Sequence, residues 1–301
     1  MGAGINNLVF FLCYLAVVGL GVIQAFGPTR ARKLLLLMLL AAGLIFHTAY
    51  LWVRAIQADA CPLSSPYDWN LLAAWLLALI ALLLGLTYRR LALGLFVMPL
   101  VVVLVGAAQF ADREPFAPVR ASRLWGNVHG TFLLLGTVTV MIGFAAGLTY
   151  LVQAYRLKRK WLRGPHLPSL EWLERLNSRA LAVSALLLAV GFASGVVLNR
   201  TKTALAGGVL SWTDPVVISS AAMLVWVVAA EFFHLIYRPA RRGRKVAYLT
   251  LATFLFLAVC LTVMLFVESG HGPRKPAGKA PAASGQRPVS SMVDRPARGA
   301  A

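Results

Sequence analysis

Residues 129–155, HGTFLLLGTVTVMIGFAAGLTYLVQAY, form an apolar run that contains no Asp, Glu, Lys or Arg. A helix of about 20 apolar residues, rising 1.5 Å per residue, crosses the roughly 30 Å hydrocarbon core of a bilayer. This run is therefore long enough to cross a membrane as one helix. The rest of the chain repeats the pattern, and the predicted spans are 7–26, 34–56, 70–87, 91–108, 129–155, 180–198, 216–236 and 246–267.

The composition of the 301 residues supports this assignment. Apolar residues make up 59% of the chain and charged residues 13%, whereas a soluble domain carries roughly 45–50% and about 25%. These proportions exclude a conventional soluble enzyme and a disordered chain. The three cysteines lie far apart, which excludes a disulfide scaffold. The predicted fold is an all-α polytopic membrane protein with about eight transmembrane helices.

The net charge of +19 is distributed in a way that indicates membrane topology rather than nucleic-acid binding. Seventeen of the 29 Lys and Arg fall in four connections, at 30–33, 89–90, 156–179 and 238–245. Short loops rich in Lys and Arg stay in the cytoplasm. Both termini are therefore predicted to face outward, into the periplasm of a bacterium whose inner membrane holds the chain. The lipid bilayer is the predicted partner of the apolar surface, and no nucleic acid is expected.

The chain divides into three predicted parts. Residues 1–33 hold the first transmembrane helix and a basic cytoplasmic turn, and residues 34–272 hold the main membrane domain. Residues 273–301, rich in Pro, Gly, Ala and charge, are expected to be disordered. An amphipathic pattern at 170–176 is suited to lying in the cytoplasmic membrane interface.

His129 opens the fifth predicted span. It shares a helical face with Gly136, Gly143 and Gly147, and small residues at this spacing let helices approach closely. The stripe is therefore expected to face protein, with His129 pointing into the bundle at the outer surface. A histidine that is merely hydrogen-bonded at a helix start remains the alternative.

Two further histidines lie within the membrane spans. His47, in the outer half of its span, shares a face with Gly43, Tyr50 and Arg54, a set that is expected to face protein rather than lipid. His234 lies one turn after Glu231 near the inner membrane edge, either as a structural pair or with the carboxylate orienting the imidazole. A proton relay in a small-solute transporter is a further reading of that pair. Their different depths argue against a shared metal ion.

His271 lies just past the last span, so His129 and His271 place two imidazoles at the outer surface. Neutral imidazole is the usual axial ligand of haem iron. Arginine side chains on the outer side are either bidentate partners for haem propionates or ordinary rim charges. These arginines are Arg54, Arg120, Arg123 and Arg200.

Three stretches resemble the cytochrome c assembly family of the CcsA and CcmC type. Residues 46–52 with CPLSSPYD at 61–68 resemble its second span and "P-L-S-N-x-Y-E" loop. WGNVH at 125–129 is similar to its "W-x-x-x-H" helix entry. GVLSWTDP at 208–215 and FHLIYR at 233–238 resemble its tryptophan-rich loop and "Y-L-H-x-R" helix end. The resemblance covers roughly residues 34–272.

The resemblance implies a protein that presents transiently bound b-type haem at the outer membrane face to apocytochrome c. It implies that His129 and His271 hold the iron and that His47 and His234 are the membrane-embedded candidate ligands. A second membrane subunit is a further implied partner. The resemblance also assigns porphyrin contacts to Trp125, Trp212 and Asp214.

The tryptophan-rich loop departs from the family pattern. The family reads approximately W-G-x-x-W-x-W-D-P, and only Trp212, Asp214 and Pro215 remain here. Asp followed by Pro is also a favoured helix start. Divergent relatives that resemble the HemX or YpjD type also lack a complete loop. The alternative function is therefore a haem-free accessory or regulatory factor on the same fold.

Overall fold

The computed structural model describes residues 3–57, 65–87, 94–113, 123–160, 167–206, 212–236 and 244–267. These residues form eight α-helices joined by short connections, and no strand occurs among them, which confirms the predicted all-helical fold. The helices are α1 (Ala3–Phe26), α2 (Arg30–Gln57), α3 (Pro66–Thr87), α4 (Gly94–Ala108), α5 (Arg123–Lys158), α6 (Leu170–Ala206), α7 (Pro215–Ile236) and α8 (Arg244–Phe266).

Seven of these helices are long and apolar enough to cross a membrane, and the chain is a multi-pass membrane protein. The exception is α4, whose 15 residues extend about 22 Å. The predicted span 91–108 is therefore longer than the described helix, which begins at Gly94 and contains Pro99. About half of its side chains are buried, because α4 packs against α1 and α3.

The eight helices form two groups of four. In the first half, α1 and α3 each pack against α2 and α4; in the second half, α5 and α7 each pack against α6 and α8. Helix α5 joins the halves through contacts with α3 and α4. Neighbouring helices run antiparallel in both halves. The predicted outer end is defined here as the end where α1, α3, α5 and α7 begin, and the predicted inner end lies opposite.

The longest helices, α5 and α6, have 36 and 37 residues. Each extends about 54 Å, so both exceed the hydrocarbon core. The amphipathic pattern at 170–176 forms the first turns of α6. Leu173 is fully buried there, and Trp172 packs against the core. Protein covers Leu173, while Leu170, Trp172 and Leu176 are partly buried, and the interfacial location of this segment stays a prediction.

Candidate functional site

The glycine stripe of α5 faces neighbouring helices, as predicted. A Cβ atom built on Gly136 would lie 2.8 Å from Leu188 of α6, and one on Gly147 would lie 2.6 Å from Thr250 of α8. Such distances are possible only because glycine has no side chain. Close approach of this kind replaces lipid contacts with dispersion contacts between helices, and it fixes which face of α5 points inward.

The same close packing positions His129 in the second turn of α5. Its half-buried ring lies against Gly195 of α6, and Nδ1 lies 2.8 Å from the carbonyl oxygen of Gly191. A carbonyl oxygen only accepts hydrogen bonds, so Nδ1 carries the proton and donates. In the neutral ring, the lone pair is therefore on Nε2. A backbone carbonyl that accepts from one ring nitrogen is the usual support of a metal-ligating histidine.

Two tryptophans lie near the predicted outer end of the second half. Trp125 precedes His129 by one helical turn and is 40% exposed, and Trp212 precedes α7 and is 53% exposed. Their ring surfaces are therefore accessible to a ligand or to lipid. Both were expected from the sequence as porphyrin contacts.

Asp214 has a structural role at the start of α7. Its Oδ1 accepts a hydrogen bond from the amide of Val216 at 2.9 Å, and its carbonyl oxygen accepts from Ile218 at 3.0 Å. Pro215 occupies the first helical position. This geometry is that of a helix N-cap followed by proline, so the helix-start reading of Asp214 is confirmed.

The remaining external candidates are described to different extents. Arg200 is exposed near the predicted outer end of α6. Arg123 begins α5, but its side chain lies outside the described positions, as do His271 and Arg120 altogether. The external pair of His129 and His271 therefore stays a prediction.

Arg54 makes an ion pair that the sequence analysis missed. Its Nε contacts Oδ1 of Asp68, whose other oxygen accepts a 2.8 Å hydrogen bond from Ser65. The guanidinium also lies 4.7 Å from the ring centre of Tyr67. The available signal was an acidic residue in the first turn of α3 opposite a basic residue in the last turn of α2.

His47 is fully buried between α1 and α2. Its ring stacks on Phe10 with centroids 4.2 Å apart, and its Nδ1 shares a 3.2 Å hydrogen bond with the Tyr14 hydroxyl. Its Nε2 has no hydrogen-bond partner in the described part of the chain. Gly43, one turn earlier, lets Tyr14 approach, since a Cβ there would lie 3.0 Å from its ring. The expected protein-facing surface of α2 is confirmed.

His234 lies near the predicted inner end, where it is 8% exposed. Its Nε2 is 3.3 Å from the Ser178 hydroxyl of α6, and its Nδ1 is 3.7 Å from a carboxylate oxygen of Glu231. Buried Asn177 accepts a 3.4 Å hydrogen bond from Thr250 beside this pair. The expected proximity of Glu231 and His234 is confirmed, but 3.7 Å is longer than a hydrogen bond.

The two membrane-embedded histidines belong to different sites. His47 lies in the first half, ten residues before the outer end of α2, which is about 15 Å along the helix. His234 lies in the second half, two residues before the inner end of α7. Each imidazole is packed by side chains of its own half, as expected from their depths in the sequence.

The fold and the site define a class of protein: a multi-pass helical membrane protein with a histidine near one membrane end whose imidazole donates a hydrogen bond to a backbone carbonyl. The sequence pattern of the family described as "Cytochrome C assembly protein" matches residues 63–271, which is most of the chain. The chain belongs to this family.

Similar curated proteins carry one name, "Cytochrome c biogenesis protein CcsA". The protein from Synechococcus sp. (strain CC9605) is 24% identical over 77% of this chain and 84% of its own length. The one from Guillardia theta is 24% identical over 74% and 79%. The one from Chlorella vulgaris is 23% identical over 89% and 94%.

Proposed function

We propose that this chain handles haem as cargo during the assembly of c-type cytochromes. It binds haem through histidines and presents it at the outer membrane face to apocytochrome c. Family membership and the "Cytochrome c biogenesis" name of its relatives support a role in this assembly. The proposed ligands of the iron are His129 and His271.

The observation that carries the proposal is the geometry of His129. Its Nδ1 donates to the Gly191 carbonyl at 2.8 Å, so in the neutral ring Nε2 is the nitrogen that carries the lone pair with which imidazole ligates iron. The ring packs against Gly195 of α6, and a fixed tautomer and orientation favour ligation. Trp125, one turn away on the same helix and 40% exposed, offers an apolar surface for a flat macrocycle.

The chain's own residues bind and orient in this proposal. His129 and His271 hold the iron, Trp125 and Trp212 contact the porphyrin, and Arg200 is available to a propionate. When bound, haem supplies the vinyl groups that react with apocytochrome thiols. The protein contributes proximity by holding the macrocycle at the surface where the thiols arrive.

His47 and His234 are proposed as separate candidate sites within the membrane. His47 has a buried Nε2 but is enclosed by Phe10 and Tyr14, so ligation there requires these side chains to move. His234 lies beside Ser178 and Glu231 at the other end. The two are not proposed to share one iron.

The proposed location is the inner membrane of a bacterium, with both termini in the periplasm. Residues 1–33 are proposed as a first helix and turn, 34–272 as the assembly domain and 273–301 as a disordered tail. A second membrane subunit of the assembly system is the proposed protein partner, besides apocytochrome c.

Visible spectroscopy of the purified protein tests the proposal. After expression with ample haem, the detergent-solubilised wild type is expected to show a Soret band, and His129→Ala with His271→Ala is expected to lose most of it. His166→Ala, at a histidine outside the described residues and without an assigned role, is the matched control. No Soret band in the wild type, or an unchanged band in the double variant, would contradict the proposal.

A haem-free accessory role is the second candidate function. It is favoured by the use of Asp214 as a helix cap and of Arg54 as a partner of Asp68, because both residues are already engaged by the protein. This role predicts that cells carrying the double histidine variant accumulate normal amounts of c-type cytochrome. Loss of cytochrome with normal levels of the membrane protein would exclude it.

A further inference from the structure

Gly195 of α6 lies directly against the imidazole of His129. A Cβ atom on Gly195 would be 2.7 Å from both Cε1 and Nδ1 of the ring. Non-bonded atoms of this kind pack about 3.5–4.0 Å apart. The imidazole therefore fills the space that any side chain at position 195 would need, and only glycine permits the observed position.

The neighbouring contacts leave the ring little freedom to move away. Nδ1 donates to the Gly191 carbonyl at 2.8 Å, and the Ser194 hydroxyl donates to the same oxygen at 2.7 Å. One turn along α5, a Cβ on Gly191 would lie 2.6 Å from the Leu133 side chain and 3.2 Å from its backbone nitrogen. Backbone contact of this kind fixes the register of α5 against α6.

We infer that Gly195 is a positioning residue for haem ligation by His129. It lets the imidazole lie close enough to α6 for Nδ1 to reach the Gly191 carbonyl, which holds the lone pair on Nε2. A side chain at 195 displaces the ring, breaks this hydrogen bond and removes the preference for the ligating tautomer. The inference rests on the proposed function, since it concerns the same iron site.

Replacing Gly195 with Ala tests the inference. Losing the support of a ligating histidine weakens metal binding about 10–100-fold, so Gly195→Ala is expected to weaken haem binding at least about tenfold. The remaining haem is expected to lose the six-coordinate low-spin spectrum. Gly126→Ala is the matched control, because nothing lies within 4 Å of a Cβ on Gly126, and it is expected to match the wild type.

A double variant separates positioning from misfolding. If Gly195 acts through the imidazole, His129→Ala with Gly195→Ala is expected to bind haem as His129→Ala alone does. Added imidazole is expected to restore the low-spin spectrum of His129→Ala, because it replaces the missing ligand. Further loss of haem and of monodisperse protein in the double variant would show general damage to the helix pair and overturn the inference.

The spectra of His129→Ala and Gly195→Ala together distinguish a failure of this inference from a failure of the proposed function. If His129→Ala leaves the spectrum unchanged, ligation by His129 fails and the inference fails with it. If His129→Ala removes the low-spin spectrum while Gly195→Ala keeps both affinity and spectrum, only the role of Gly195 is overturned.

Discussion

At the scale of single residues, Asp214 shows how one side chain supports two readings until its contacts are known. The sequence permits a porphyrin contact or a helix cap, and the bond from Val216 to Oδ1 establishes the cap. His129 is a different case, because its hydrogen bond to the Gly191 carbonyl of another helix fits both a structural histidine and a metal ligand held by a backbone carbonyl. Its role as a haem ligand stays a prediction.

Capping predicts how variants of Asp214 behave. Asp214→Ala is expected to lower the free energy of unfolding by about 1 kcal/mol, whereas Asp214→Ser retains an acceptor and stays near the wild type. Thermal unfolding in detergent measures the difference. Equal loss of haem with unchanged stability in both variants would contradict a role limited to capping.

Ligation by histidine predicts that haem binding has a lower pH limit. Protonated imidazole cannot ligate iron, so the complex is stable at neutral pH and is lost as pH falls through the range where histidine gains a proton. The Soret band is expected to decrease as pH falls below about 6. Retention of the full band at about pH 4 would indicate axial ligands other than histidine.

At the scale of helices, the number and type of elements follow from the sequence, whereas their lateral contacts do not. The length of an apolar run is a local property, and all eight predicted runs contain a helix. Contacts such as Phe10 with His47, or Arg54 with Asp68, depend on the rotation and register of two helices. The glycine stripe of α5 and the face of α2 that holds Gly43 and His47 were contact faces predicted in advance, because small residues mark close approach.

Close approach predicts which glycines of the described helices resist substitution. A Cβ on Gly147 would lie 2.6 Å from Thr250 and 3.2 Å from the backbone oxygen of Ala247, so Gly147→Ala is expected to cost about 1–3 kcal/mol through overpacking. Gly106→Ala meets open space and serves as the control. Equal melting temperatures for the two variants would contradict the close contact between α5 and α8.

The ion pair between α2 and α3 predicts non-additive effects. Asp68→Asn leaves the Arg54 guanidinium without its carboxylate partner and is expected to cost about 1–3 kcal/mol. Adding Arg54→Gln removes that uncompensated charge, so the double variant is expected to be less destabilised than the sum of the single variants. Strict additivity in denaturant titrations would show that the pair contributes nothing.

At the scale of the whole molecule, the alternation of Lys and Arg predicts which end of the bundle faces outward. Thr213 lies before α7 at the predicted outer end, and Lys158 ends α5 at the predicted inner end. In a Cys61→Ser background, Thr213→Cys in intact cells is expected to react with a membrane-impermeant maleimide and Lys158→Cys is not. The opposite labelling would invert the topology and place His129 on the cytoplasmic side.

The sequence predicts the order of the spans along the chain, but it does not predict that they pack as two groups of four. That division depends on which helices pack together, and among the described residues α5 contacts both α3 and α4. The site likewise depends on tertiary packing, because Gly191 and Gly195 meet His129 only through the register of α6 against α5.

The length of α5 and α6 has a practical consequence. Each is roughly 24 Å longer than a hydrocarbon core of about 30 Å, and the buried Leu173 seats the first turns of α6 against protein. We expect part of this extra length to extend beyond a detergent micelle. There it would provide a feature for aligning particle images and an epitope for antibody fragments.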